Sequence, residues 1–290
     1  MKFICMLLLS LLSCLSYSQN DLLKVKIVNS NNKIIPFANV VEVHRSFGVA
    51  ADMHGVFILD EPKAVLDTCS LRISAMGYQD TIIPASRLHK YPVVTMKGAV
   101  IKLSEVSITN WEKKKYMLGV ENRCKILCGG FNNVYINSQS GILIENDKGK
   151  PLKINEVKVY VKKEGKPEAP FRLRIYQYDT ITDLPGKDIL LQQKVKSAGK
   201  GGKWVEFDFV DEHIYIPESG AIVAVEWVLT KQKYYYQREE DKNYGVVLGV
   251  GYFDKQLVYK KNYKTGWWKG VFFENAKRFP APAIRVYCSG

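Results

Sequence analysis

Histidine is scarce in this chain of 290 residues: only His44, His54, His89 and His213 occur, each isolated from the others. None opens an H-E-x-x-H run, so the zinc-peptidase helix is excluded, and no G-x-S-x-G elbow is present. Gly199-Lys200-Gly201-Gly202-Lys203 lacks the strand–loop–helix setting of a phosphate loop and reads as a hairpin tip. Helical periodicity is almost absent. The only long apolar run is Phe3 to Leu12; Val246 to Phe253 is far too brief to cross a bilayer, so no transmembrane span is expected. Acidic residues are in deficit, 29 against 42 Lys and Arg.

Six cysteines are present, two of them in the first fifteen residues. Lys2, the apolar run and the small residues around Ser16-Tyr17-Ser18 have the form of a secretion signal cleaved before Gln19. Leu11-Leu12-Ser13-Cys14 offers a lipoprotein box as an alternative, with a lipid anchor at Cys14. The expected address is exported, either periplasmic or outer-membrane-associated. Export permits disulfides among Cys69, Cys124, Cys128 and Cys288, in any of three pairings or as buried free thiols. No second cysteine pair sits at zinc spacing, and neither metal nor cofactor is expected.

What is present is strand pattern. Leu22 to Val28 alternates lysines with Val25 and Ile27, the period of a half-buried strand. Asn29 to Lys33 is a run of turn formers, Pro36 is placed at the opening of the next strand, and Phe37 to Val41 continues it. Asp52 to Gly55 reads as a tight turn into Val56-Phe57-Ile58-Leu59. In Cys69 to Ala75, Leu71 and Ile73 share one face, and Gly77 permits a bend before Tyr78. Short strands at regular spacing predict a sandwich.

The series IPFANVV, DMHGVFIL and LRISAMGY resembles the carboxypeptidase regulatory-like (transthyretin-like) domain of Gram-negative envelope proteins, over roughly residues 21–97. Lys102 to Thr109 is similar to the segment that leads from this module into the plug of TonB-dependent receptors. The resemblance implies a small β-sandwich and an envelope address. It implies neither peptidase activity nor transport, since the residues after Thr109 are too few for a receptor barrel.

The expected organisation is a signal peptide at 1–18, the regulatory-like sandwich at 19–97, a linker at 98–115 and a larger antiparallel sandwich at 116–290. Glu156 to Lys162, Phe171 to Tyr176 and Trp204 to Phe209 alternate cleanly, and Ala221 to Val228 reads as a strand buried on both faces. Leu184-Pro185-Gly186 and Pro217 to Gly220 read as loops. The fold class is therefore all-β, a transthyretin-like sandwich followed by a jelly-roll-like one.

Candidate functional residues are few. Trp267 and Trp268 lie in a basic stretch with Tyr263, Lys264 and Lys269, where indole faces suit sugar C–H surfaces and lysines suit acidic substituents. In a strand one of the two tryptophans faces inward. Tyr234-Tyr235-Tyr236 is a further aromatic cluster, and Trp204 and Trp227 are expected in the core. Asp179, Asp183 and Asp188 surround the Pro185-Gly186 turn and are read as turn residues rather than calcium ligands. A thiol nucleophile from Cys124 or Cys128 with His213 needs a contact that the sequence does not supply. The basic residues from Lys255 to Arg278 attract polyanions, and in an exported chain those are glycans or lipopolysaccharide rather than nucleic acid. The leading expectation is a non-enzymatic envelope module binding other envelope proteins. The alternatives are a glycan-binding module for acidic polysaccharide or lipopolysaccharide, and a hydrolase with an unrecognised site.

Overall fold

Alternation at period two dominates the backbone as it dominates the sequence. The computed structural model describes residues 20–44, 47–99, 114–121, 130–132, 138–190, 192–230, 237–238, 241–242, 245–262, 266–270 and 277–290. The expected leader with Cys14, most of the expected linker, Cys124, Cys128, the Tyr234 cluster, Tyr263 and Lys264 lie outside them. The chain divides into two compact units, one within residues 20–75 and 79–98, the other from 99 onward together with 76–78.

The first unit contains strands β1 (Asn20–Asn29), β2 (Asn39–Glu42), β3 (Gly48–Ala50), β4 (Val56–Pro62), β5 (Ser70–Ser74), β6 (Thr81–Pro84) and β7 (Val93–Met96). Two short helices, α1 (Lys63–Leu66) and α2 (Ala85–Lys90), each follow a proline. One sheet runs β4-β1-β7, with β1 and β7 parallel; the other runs β3-β2-β5-β6. Val25, Ile27, Phe57, Leu71 and Ile73 are buried as their alternation requires. The two turns form through side-chain oxygens. Asn29 accepts from the amides of Asn31 and Lys33, and Asp52 from those of His54 and Val56. Pro36 does not open a strand: Phe37 has φ 55°, and pairing begins only at Asn39.

The second unit is built on β8 (Lys115–Gly119), β9 (Gln139–Ile144), β10 (Leu152–Gly165), β11 (Phe171–Asp179), β12 (Leu184–Asp188), β13 (Lys194–Lys196), β14 (Lys203–Asp208), β15 (Tyr215–Ile216) and β16 (Ala221–Trp227). It continues through β17 (Gln237–Arg238), β18 (Asp241–Lys242), β19 (Val246–Leu248), β20 (Val250–Phe253), β21 (Val258–Asn262), β22 (Gly266–Lys269), β23 (Phe279–Pro282) and β24 (Ile284–Ser289). A six-stranded sheet has the order β14-β10-β24-β8, with β15 and β19 also on β10. A seven-stranded sheet has the order β12-β11-β16-β9-β21-β22, with β13 also on β11. Count β8, β9, β10, β11, β12, β14, β16 and β24 as strands one to eight. The sheets then read 1-8-3-6 and 2-7-4-5, the double Greek key of a jelly roll. The β21–β22 hairpin extends the larger sheet beyond that plan.

The core lies between the sheets. Val157, Val159, Phe207, Ile284 and Val286 come from one, and Ile142, Phe171, Leu173, Val225 and Trp227 from the other. All seven residues of β16 are buried, as expected for its central place. Trp227 donates its indole N–H to the Val246 carbonyl at 2.8 Å. Gly141 of β9 faces Ala224 of β16, and a Cβ there would lie 2.6 Å from the Ala224 Cβ and 2.7 Å from the Val223 carbonyl oxygen. Only glycine allows that approach.

Three expectations are corrected here. Leu184-Pro185-Gly186 is not a loop but part of β12, an edge strand where proline is tolerated. The Gly199–Gly202 stretch is not a hairpin tip. It crosses from the larger sheet to the smaller and lies against β10, with the Gly202 amide donating to the Val161 carbonyl at 2.7 Å. Trp204 is not core, because Val205 and Phe207 take the inward face of β14 and turn it outward.

The outer face of the larger sheet holds a buried charge network. Arg172 donates to one Glu226 oxygen at 3.0 Å and Arg174 to the other at 2.6 Å, and Arg174 also reaches Asp188 at 2.9 Å. The side chains of Arg172 and Glu226 are each 1 % exposed. Removing one partner of such a pair leaves a charge without compensation. The substitution Glu226→Gln is expected to cost about 3–5 kcal/mol, read as a lower urea midpoint at unchanged slope. A midpoint like that of the wild type would contradict a structural role for the network.

Candidate functional site: the groove of the smaller sheet

Against β24, β10 carries one irregularity. Ile154 pairs with Cys288 of β24, but Glu156 pairs with Tyr287, so Asn155 is an extra residue on its strand. A β-bulge of this kind re-aims side chains. Ile154 and Val157 both remain in the core, and the Asn155–Glu156 doublet between them is left on the outer side. The bulge is held from both neighbours. Asn155 donates its side-chain amide to the Ser289 hydroxyl at 3.1 Å, and its carbonyl accepts from the Phe209 amide at 2.9 Å.

A groove of ≈ 800 Å³ forms along this surface, with Asn155, Glu156, Glu206, Asp208, Tyr116, Tyr287, Ser289, Lys115 and Lys196 on its walls. Register explains the grouping: Glu156 lies opposite Asp208 on one side and Tyr287 on the other, and Lys158 opposite Glu206. The Lys158 ammonium sits 2.5 Å from Glu206 and 3.2 Å from Glu156, and lies 5.3 Å from the centre of the Tyr287 ring. The hydrogen bond that Lys158 donates to Glu206 raises the Lys158 pKa, and the same bond holds the Glu206 carboxyl below its ordinary value. Both groups therefore stay charged at neutral pH. Cys288 lies beneath, a buried free thiol pushed up to about 11 by burial and so unreactive at neutral pH. Further along the same face, Arg285 stacks 4.4 Å over Trp204, which meets Tyr160 edge-on at 5.4 Å.

The sequence candidates fall elsewhere. Trp267 is on the outer face of the larger sheet, edge-on to Tyr176 at 5.2 Å with the Lys261 ammonium 5.6 Å from its ring centre. Trp268 is on the opposite face, across from Lys260. Lys269 shares a face with Trp267, two residues on. Its ammonium reaches Asp183 at 2.8 Å, and Asp183 also accepts from Tyr178 at 2.7 Å and Tyr259 at 2.6 Å. Tyr263 and Lys264 lie outside the described residues. The three aspartates do not converge. Asp179 caps its own turn through the amides of Ile181 and Thr182, while Asp183 and Asp188 point into the two clusters described. Among the described residues no group of three His, Cys, Asp or Glu side chains could hold a metal ion. Cys69 is also buried and in no disulfide. A second cavity of ≈ 660 Å³ near Tyr178 and Phe253 holds two ion pairs, Lys255 with Glu145 and Lys148 with Asp147.

No protein-family model matches this chain, and no curated protein matches it. One solved structure that it resembles holds the cysteine protease and lectin-like domains of Cwp84, a surface layer associated protein of Clostridium difficile. The match has a TM-score of 0.38 and 12 % identity, over 63 % of this chain and 37 % of that one. No described helix is long and apolar enough to cross a membrane.

The Asp183 cluster yields a pH test. Its carboxyl is lowered to about 2, chiefly by Lys269 and then Tyr259, against about 3.9 for an unfolded aspartate. A group depressed in the folded state contributes fully above its unfolded pKa and loses that contribution as pH falls through the folded value. The difference in Tm between wild type and Asp183→Asn is therefore expected to be constant from pH 5 to 8 and to shrink between about pH 4 and 2. A difference that grows on acidification would contradict the assignment.

Proposed function

We propose that this is a non-catalytic glycan-binding protein of the cell envelope, and that its ligand lies in the groove beside the β10 bulge. The observation that carries the reading is the composition of that groove. Tyr287 offers a flat apolar face with a polar tip, Asn155 and Ser289 offer a neutral amide and hydroxyl, and Glu156, Glu206 and Asp208 accept from sugar hydroxyls. An open, amphipathic groove of this kind suits a polyhydroxylated chain better than an apolar cofactor.

A glycosidase reading fits the same residues less well. Cleavage needs one carboxylic acid kept protonated, whereas the Lys158 ammonium, which Glu156 and Glu206 share, holds the Glu206 carboxyl below its ordinary value and so ionised. The envelope address rests on the form of the leader and on the resemblance of residues 21–97 to regulatory-like modules. In that module β6 is an edge strand with Ile82 64 % exposed, which favours a second reading of the first unit as a contact for another envelope protein.

Calorimetric titration of the full chain with a panel of neutral hexasaccharides tests the proposal. Binding is expected, weakened about tenfold by Tyr287→Ala and by Glu206→Gln and unchanged by Trp267→Ala. No binding across the panel, or binding indifferent to Tyr287 and Glu206, would remove the groove as the site.

A further inference from the structure

The β21–β22 hairpin gives the larger sheet an inner face that the jelly-roll plan alone lacks. Lys260 of β21 stands directly between Ser140 of β9 and Trp268 of β22 in register. Their parity is that of Val258, which is in the core, so the three side chains share the inward face. Ser138 lies two residues before Ser140. Ser138 is 0 % and Ser140 4 % exposed, and neither hydroxyl has a hydrogen-bond partner. A buried hydroxyl left unpaired is a cost to folding, and two side by side call for a cause. The Lys260 ammonium lies 5.8 Å from the centre of the Phe131 ring, and burial lowers its pKa. Trp268 is half-buried at the sheet edge and makes no ring contact with a described neighbour, unlike Trp267.

We propose that this corner receives the carboxylate of an acidic sugar, an inference that rests on the glycan reading and adds a second, charge-selective subsite to it. Lys260 supplies the positive charge, Ser138 and Ser140 donate to the carboxylate oxygens, and the indole of Trp268 lies against the C–H face of the sugar ring. The groove on the other sheet, with carboxylates and lysines in near balance, reads the neutral part of the chain.

The test compares a galacturonate hexamer with a neutral glucose hexamer on the full chain by calorimetry, together with thermal melts of the variants. The uronate is expected to bind at least tenfold tighter than the neutral hexamer, and Lys260→Gln should erase that ratio. Ser140→Ala should weaken the uronate about fivefold while raising Tm by about 2–4 °C, because it removes an unpaired buried hydroxyl. A merely structural serine would lower Tm instead, and that result overturns the proposal. So does a uronate preference that is absent or that survives Lys260→Gln, and so does free acetate competing as well as galacturonate. Neutral binding with no uronate preference would sink this subsite and leave the groove standing. Uronate binding that depends on Lys260, without neutral binding, would do the reverse; silence from both hexamers overturns both.

Discussion

The placement of β10 between two partners is the constraint on which the second unit depends. This fourteen-residue strand pairs with β14 along one edge and β24 along the other, and β15 and β19 dock on its ends. Its inward side chains are Leu152, Ile154, Val157, Val159 and Val161, so it anchors one half of the core. A slip of one residue would move that whole set to the solvent side. The bulge at Asn155 introduces such a slip once, locally, and is pinned by bonds to Ser289 and Phe209. The apolar set stays inside on both sides of it, and two consecutive polar residues emerge on the outer face. The groove is thus a by-product of the way the strand keeps its register.

The two sheets treat their outer faces differently. On the smaller sheet that face is an open surface with side chains of mixed chemistry. On the larger sheet its centre is buried, and Arg172, Arg174, Glu226 and Asp188 are there because each has an opposite charge within bonding distance. Burial without that geometry would be severely unfavourable. Polar residues inside the larger sheet therefore have two different explanations: an ion-paired network on one face, and the serine hydroxyls beside Lys260 on the other.

Much of the fold was legible in residues. Alternation in 156–162, 171–176 and 204–209 marked three strands correctly, and the apolar run at 221–228 marked the centre of a sheet. Pro185-Gly186 misled because proline and glycine signal a loop when only local chemistry is considered, whereas an edge strand has no ladder bond to lose at that position. Trp204 misled because size suggests core, yet strand parity with Val205 and Phe207 decides the face. The bulge had a signal that alternation alone passes over: Ile154 and Val157 are three apart, with two polar residues between them, a break in the period of two. The groove itself was not legible, since Glu206 and Asp208 look like an ordinary solvated strand face until Glu156, Tyr287 and Ser289 are brought beside them from far along the chain. The tryptophan pair divides between the two faces of β22, as strand parity requires. The buried hydroxyls that share the inward face with Trp268 come from Ser138 and Ser140, more than a hundred residues earlier.

The most direct measurement is a two-dimensional NMR titration of the full chain with a neutral hexasaccharide, following backbone amides. Perturbations centred on Asn155, Glu156, Asp208, Tyr287 and Ser289 are the result this account predicts. Perturbations confined to β22 or to the first unit, with the β10 bulge unmoved, would contradict it.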